Sequence, residues 1–247
     1  MLILLMIIAG FLGGFVGAQV GSGAMITLPA LMLLGMSSVL AIGTNMLSAW
    51  LINVVAFLKY LKSGKVVIKS QTASFAVVAF IGSLIGAYLL LVIDKSLLSK
   101  IVTVFFVGLI FLMFKKPPKL DDPNPQIKQK YIDIAAILAF VVGIYGGFFT
   151  VAVTTFFIFI LVYLLKRNFL EASAESVFIV SIVLLAALLV FIKNGNIDWR
   201  YAIPLALSSI VGSWVGAATA LKFGDKWIKG LLIFTIVIVI LKLIFKF

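Results

Sequence analysis

Uninterrupted apolar runs constrain this chain more than any other feature. They cover about residues 2–35, 40–60, 70–92, 96–114, 132–165, 172–192, 201–221 and 228–245, each close to or beyond the about 20 helical residues that cross a bilayer's hydrocarbon core. Inside that core a backbone must satisfy its own N–H and C=O groups, which leaves helices and closed barrels as the only spanning structures. The runs are continuous and lack the period-two alternation of a barrel strand, so the spans are helices. The 247 residues are 64% hydrophobic and 11% charged, more apolar surface than a water-soluble domain of this length needs. The expected fold is an all-α polytopic membrane protein. The first run begins at Met1 without a basic flank or a small-residue cleavage pattern and is read as a retained helix.

The stretch Gly10 to Gly23, GFLGGFVGAQVGSG, holds six glycines with Gln19 and Ser22. As one straight helix, residues 2–35 would be about 51 Å long, too long for one crossing. We expect two short helices broken near Gly17 to Gly23, with Thr27 and Pro29 opening the second, where proline is tolerated. A span at about 40–60 follows, polar early on with Gly43, Thr44, Asn45, Ser48 and Asn53. Spans at 70–92 and 96–114, joined by a turn at Asp94 and Lys95, complete a first unit, residues 1–114. Residues 115–130, KKPPKLDDPNPQIKQK, carry four prolines and read as an exposed, cytoplasmic linker. A second unit, residues 131–247, repeats the order of runs.

The units also match in residues. Gly10, Gly13 and Gly14 align with Gly143, Gly146 and Gly147, Lys62 and Gly64 with Lys193 and Gly195, and IGSLIGA (81–87) with VGSWVGA (211–217), at offsets drifting from 133 to 130. The chain therefore reads as two homologous repeats of four to five helical segments, each opening on a broken or re-entrant glycine-rich segment. Internal repeats of this kind are typical of secondary transporters. A re-entrant first segment makes the repeats inverted; a segment that crosses once makes them parallel. Lys166 and Arg167 fall on the favourable side only when the repeats are inverted, and inversion is the expectation.

Charge and absences narrow the function. The formal charge of +12 sits at the ends of apolar runs and in their connections, where basic residues set topology and meet lipid headgroups; nucleic acid is not an expected partner. The chain has no cysteine and no histidine, which removes disulfides, thiolate metal sites, imidazole ligation, His-based proton relays and Ser-His catalysis. It has no GxxxxGK[ST] sequence. Neither an enzyme nor a cofactor or metal is expected.

The glycine-rich opening followed by ITLPALMLLG, then AIGTNMLSAWLINVVAFLKYLKSGKV and, in the second half, FIKNGNIDWRYAIPLALSSIVGSWVGA, resembles the TauE/SafE family of sulfite and organosulfonate exporters. The resemblance covers nearly the whole chain. It implies transport of small sulfur-containing anions across the cytoplasmic membrane. The chain departs from the strongest form of the glycine motif at Ala18, Gln19 and Val20, and its second copy has Thr150 to Thr155 in place of glycines.

An anion at membrane depth needs donors, and the only arginines are Arg167 and Arg200. The positive ends of broken helices are the alternative, where free amides and the macrodipole favour anions. The substrate-binding set expected on that ground is Gly17, Gln19, Gly21, Ser22, Gly23, Thr27, Thr44, Asn45 and Ser48 from the first half, with Thr150, Thr154, Thr155 and Ser176 from the second. Against this stands simple helix packing, in which small residues allow close approach and hydroxyls bond their own backbone. Glu171 and Glu175 share one helix face and read either as coupling or gating carboxylates or, for Glu171, as part of a helix start. Trp199 and Trp227 read as interfacial anchors, Trp50 and Trp214 as packing residues, and Asp198 and Arg200 as a pair across a turn.

The leading function is a secondary transporter of small anions, with the bilayer and the anion as partners and proton coupling and a homodimer both open. A permease or scaffold subunit that depends on a partner, and an anion channel, are the alternatives.

Overall fold

The computed structural model describes residues 2–64, 69–92 and 126–245. Among them the chain is wholly helical: α1 (Leu2–Val20), α2 (Ala24–Met32), α3 (Ser38–Lys62), α4 (Ser70–Val92), α5 (Gln129–Phe148), α6 (Val153–Leu165), α7 (Phe169–Lys193) and α8 (Trp199–Phe245). Six of these, α1, α3, α4, α5, α7 and α8, are long and apolar enough to cross a membrane. The expected span at 96–114, the turn at Asp94 and Lys95 and most of the hydrophilic segment 115–130 lie outside the described residues.

Local signals fix the boundaries. Ser37 caps α3 by accepting from the Leu40 N–H, and Asn168 caps α7 by accepting from that of Glu171. Gly64 and Gly195, both at positive φ, follow the ends of α3 and α7, and Lys59, Lys62 and Lys193 stand in those last turns. One boundary differs from expectation: helix α2 starts at Ala24, so Thr27 and Pro29 lie inside it. The runs 201–221 and 228–245 follow one another in α8 and part, as expected, where Gly224 adopts φ 70°, ψ −155°.

The chain turns back at each expected break. Gly23 lies against Gly13 and Gly17, and Thr27 against Gly13, so α2 returns along α1. In the second half, Val153 lies against Gly146 and the Phe156 ring stands 5.4 Å from that of Tyr145, so α6 returns along α5. Helix α6 is apolar on every side and almost every residue from Val153 to Leu165 is buried, as a core helix should be.

Small residues join the long helices. A Cβ at Gly10 or Gly14 of α1 would collide with the α8 backbone between Leu205 and Ser213, and one at Gly212 or Gly216 of α8 with the carbonyls of Phe11 and Phe15. Helices α4 and α5 interlock likewise, Gly82 and Gly86 against Phe140 and Ile144, Gly143 and Gly147 against Ala79 and Ser83. Such spacing permits the backbone approach on which membrane helix packing depends. By these contacts Phe140 and Ile144 correspond to Phe11 and Phe15, an offset of 129, about one helical turn from the 133 obtained by matching glycines.

Contacts ascend together along α1 and α8. They do so along α3 and α8, from the Ser48–Ser209 contact to the bond from Ser213 Oγ to Ile52 O, and along α4 and α7, from Thr72–Glu175 to Ser83–Val183. Helices α3 and α7 run oppositely, since Tyr60 meets Ser173 while Gly43 meets Phe191. Two sets of parallel helices result, α1, α3 and α8 in one direction and α4, α5 and α7 in the other.

Candidate functional site

A helix that ends inside an apolar protein leaves its last carbonyls and its successor's first amides to find partners elsewhere. At the first break, residues 21–23, the carbonyls are fully matched. Gly17 O accepts from the Gly21 N–H (2.9 Å), Ala18 O from Tyr60 Oη (3.2 Å), Gln19 O from Ser173 Oγ (2.7 Å) and Val20 O from Thr155 Oγ1. Helices α3, α7 and α6 each supply one hydroxyl.

The second break, residues 149–152, reaches the first. Gly21, at φ +74°, lies directly against Thr154, whose hydroxyl donates to Asn53 Oδ1 (3.3 Å); Asn53 Nδ2 in turn donates to Ala49 O (2.8 Å). Ala152 takes a left-handed conformation, φ 61°, its carbonyl accepts the Phe156 N–H (3.0 Å), and Tyr145 Oη donates to Val151 O (2.9 Å). Asn45 Nδ2 donates to Thr150 Oγ1 (3.1 Å). Among the described residues no hydrogen bond engages the amides of Val153, Thr154 and Thr155. The amino terminus of α6 thus presents open backbone donors near the meeting point of the two breaks, beside the Thr154 hydroxyl that Asn53 engages.

The structure therefore brings Gly21, Thr154 and Thr155 together, with Thr150 and Asn45 at the other side of the second break. Thr154 and Thr155 lie in the first turn of α6 rather than in the break itself. The rest of the expected set stands apart from this point. Gln19 is spent on structure, Nε2 donating to Phe15 O (2.8 Å) and Oε1 accepting from Trp227 Nε1 (2.6 Å), which also makes Trp227 an internal tie. Thr27 bonds back to Gly23 O (3.3 Å), and Gly17 and Gly23 serve the α1–α2 contact. Thr44 Oγ1 accepts from the Asp198 N–H (3.0 Å), and Ser48 pairs with Ser209 (2.6 Å). Ser22 lines an apolar cavity of about 370 Å³ with Val16, Met25, Leu231 and Phe234. Ser176 is fully buried, and its hydroxyl has no partner among the described residues. Asn53, Tyr60 and Ser173 complete the breaks and were not foreseen in this role.

Glu175 is fully buried on α7. One carboxylate oxygen meets Arg167 Nε at 3.0 Å and the other accepts from Thr72 Oγ1 on α4. Arg167 is only 5% exposed, so this guanidinium already has its counter-charge. Glu171 stands in the first turn of α7, whose cap is Asn168. Asp225, just past the α8 interruption, accepts from the Phe169 and Leu170 N–H groups (3.2 and 2.9 Å), a carboxylate on a helix amino terminus supplied by another helix. Asp198 does not reach for the Arg200 guanidinium; its Oδ1 accepts the Arg200 backbone N–H (3.0 Å) at the start of α8.

A family model described as "Sulfite exporter TauE/SafE" matches residues 6–243. "Probable membrane transporter protein YfcA" of Escherichia coli (strain K12) is 29% identical over 236 residues, 95% of this chain and 86% of that protein. "Probable membrane transporter protein ORF9" of Sinorhizobium sp is 28% identical over 243 residues, 98% and 92% of the two chains, and a "Probable membrane transporter protein" of Haemophilus influenzae 28% over 233, 94% and 90%. No solved structure matches significantly.

Proposed function

The chain belongs to the TauE/SafE family, and from that premise we propose that it is a secondary transporter that moves a small sulfur oxyanion or organosulfonate across the cytoplasmic membrane. The observation that carries this reading is the amino terminus of α6, where the amides of Val153 to Thr155 are open and Thr154 lies against Gly21. A helix amino terminus carries about half a positive charge, and its amides suit the oxygens of a sulfite or sulfonate group. Arg167 is engaged by Glu175 and leaves that task to the backbone.

The two units, residues 1–114 and 131–247, act in this reading as inverted repeats. The opposed directions of α1 and α5, and the return of α2 and α6 along them, support it. Alternating access then exposes the meeting point of the breaks to each side in turn. Glu175, held by Arg167 and Thr72, serves as the gating carboxylate, joining α4 to α7 where those helices must part.

Thr154→Val keeps the shape of α6 and removes the hydroxyl that Asn53 Oδ1 holds and that a bound anion would draw to itself. Purified protein in liposomes should take up radiolabelled sulfite or a sulfonate with saturable kinetics, and the variant should raise KM about ten-fold or more, the loss of one hydrogen bond to a charged group. Flux without saturation would mark a channel, and no flux by the protein alone would mark a subunit dependent on a partner; either result overturns the proposal.

A further inference from the structure

The two breaks differ at their negative ends. The four carbonyls that close α1 each have a donor. At the close of α5, Tyr145 O accepts from Phe149 N–H (2.8 Å), and no hydrogen bond among the described residues reaches the carbonyls of Gly146, Gly147 and Phe148. Asn45 stands beside this end. It is 1% exposed; its Nδ2 donates to Thr150 Oγ1 within the break (3.1 Å), and Oδ1 of the same amide has no partner among the described residues.

The second break thus brings an unpaired amide oxygen to a hydroxyl oxygen that stands two residues past the carbonyl end of a 20-residue helix. Buried acceptors without donors are costly, and this excess of acceptors asks for a positive charge. No cluster of three or more His, Cys, Asp or Glu exists among the described residues, so the ligands are neutral, hard oxygens. That set suits a monovalent alkali cation better than Ca²⁺ or Mg²⁺, which call for carboxylates. Unwound carbonyls at a half-helix end are a known way to hold such an ion.

We propose that the break between α5 and α6 binds an alkali-metal cation through Asn45 Oδ1, Thr150 Oγ1 and the terminal carbonyls of α5. The four residues 149–152 then separate a cation on the carbonyl end of α5 from an anion on the amide end of α6, and each ion raises the affinity for the other. Only this coupling role rests on the transport reading above; cation binding itself does not.

The test uses the detergent-purified full chain with no sulfur anion present, and follows its melting temperature while NaCl or KCl replaces choline chloride at constant ionic strength. Binding predicts a saturable rise with Na⁺ or K⁺. Asn45→Ala should raise the half-saturating concentration about ten-fold or more, within the range for disturbed metal sites. Asn45→Asp keeps an oxygen and adds charge, so it should saturate at an equal or lower concentration. Both variants should elute as the wild type does in choline. Equal melting in choline, Na⁺ and K⁺ overturns the proposal, as does Asn45→Asp behaving like Asn45→Ala, which would mark the free end of the amide as a donor. Because the readout contains no anion, a negative result leaves anion transport standing, and failed anion transport leaves cation binding standing.

Discussion

Glu175 can lie in the apolar interior because Arg167 and Thr72 meet both of its oxygens. Removing one partner of such a pair strands the other in a medium that solvates it poorly. Arg167→Met is therefore expected to destabilise the protein by about 3–5 kcal/mol, and Arg167→Met combined with Glu175→Gln by much less, measured as thermal unfolding in detergent. If the pair gates transport, the double variant recovers stability but not transport, and full transport by it removes the gating role. The sequence displays Glu175 plainly as a carboxylate within a span. It conceals the partner, because Arg167 reaches it from beyond Lys166, at φ 52°, outside any helical periodicity, and Thr72 comes from 103 residues away. The same limit hid Tyr60 and Ser173, whose hydroxyls close α1. Residue type is legible in a sequence, but the depth at which a residue sits beside another helix is set by packing. Gln19 shows the converse error: a polar residue among glycines suggests a ligand, yet Trp227 occupies it.

Among the elements, length and continuity of apolar runs located the helices well, as with the span expected at 70–92 and found at Ser70–Val92. The breaks were legible too, since six glycines in one stretch weaken a helix. Their turning back was expected only from the side on which Lys166 and Arg167 would fall; the contacts that make it, such as Thr27 on Gly13, are encoded by no spacing rule. The interruption of α8 was legible as well, since the runs 201–221 and 228–245 part at the charged stretch that holds Gly224. Gly21 can be tested directly. It combines a positive φ with direct contact to Thr154, so Gly21→Leu meets both a backbone penalty of about 1–2 kcal/mol and a collision at the meeting point of the breaks. Transport is expected to disappear while the protein remains in the membrane fraction. Gly230→Ala is the matched control, since its new methyl group meets open space; stability should hold or rise by up to about 1 kcal/mol, with transport unchanged.

In the whole molecule, the two halves complete each other. Helix α1 packs its glycines on α8 and α5 packs its own on α4, so each half supplies the surface that the other's opening helix requires. Repeat matching predicted two units but not their exchange of partners, which depends on contacts across the chain's midpoint. The interlock predicts that a chain cut within residues 115–130 yields halves that are degraded when expressed alone. Expressed together they should assemble, co-purify and restore transport; a half that accumulates alone as a monodisperse protein would contradict the interlock. The same pairing sets the order of events at the ribosome. The α1 face that holds Gly14 is closed by Ser209 and Ser213, about 195 residues later, or about 10–40 s of synthesis. Through that interval a newly inserted α1 carries an exposed small-residue groove and an untied Gln19. Until its last-made partner arrives, the nascent chain is open to pairing with the wrong helix and to the proteases that remove such errors.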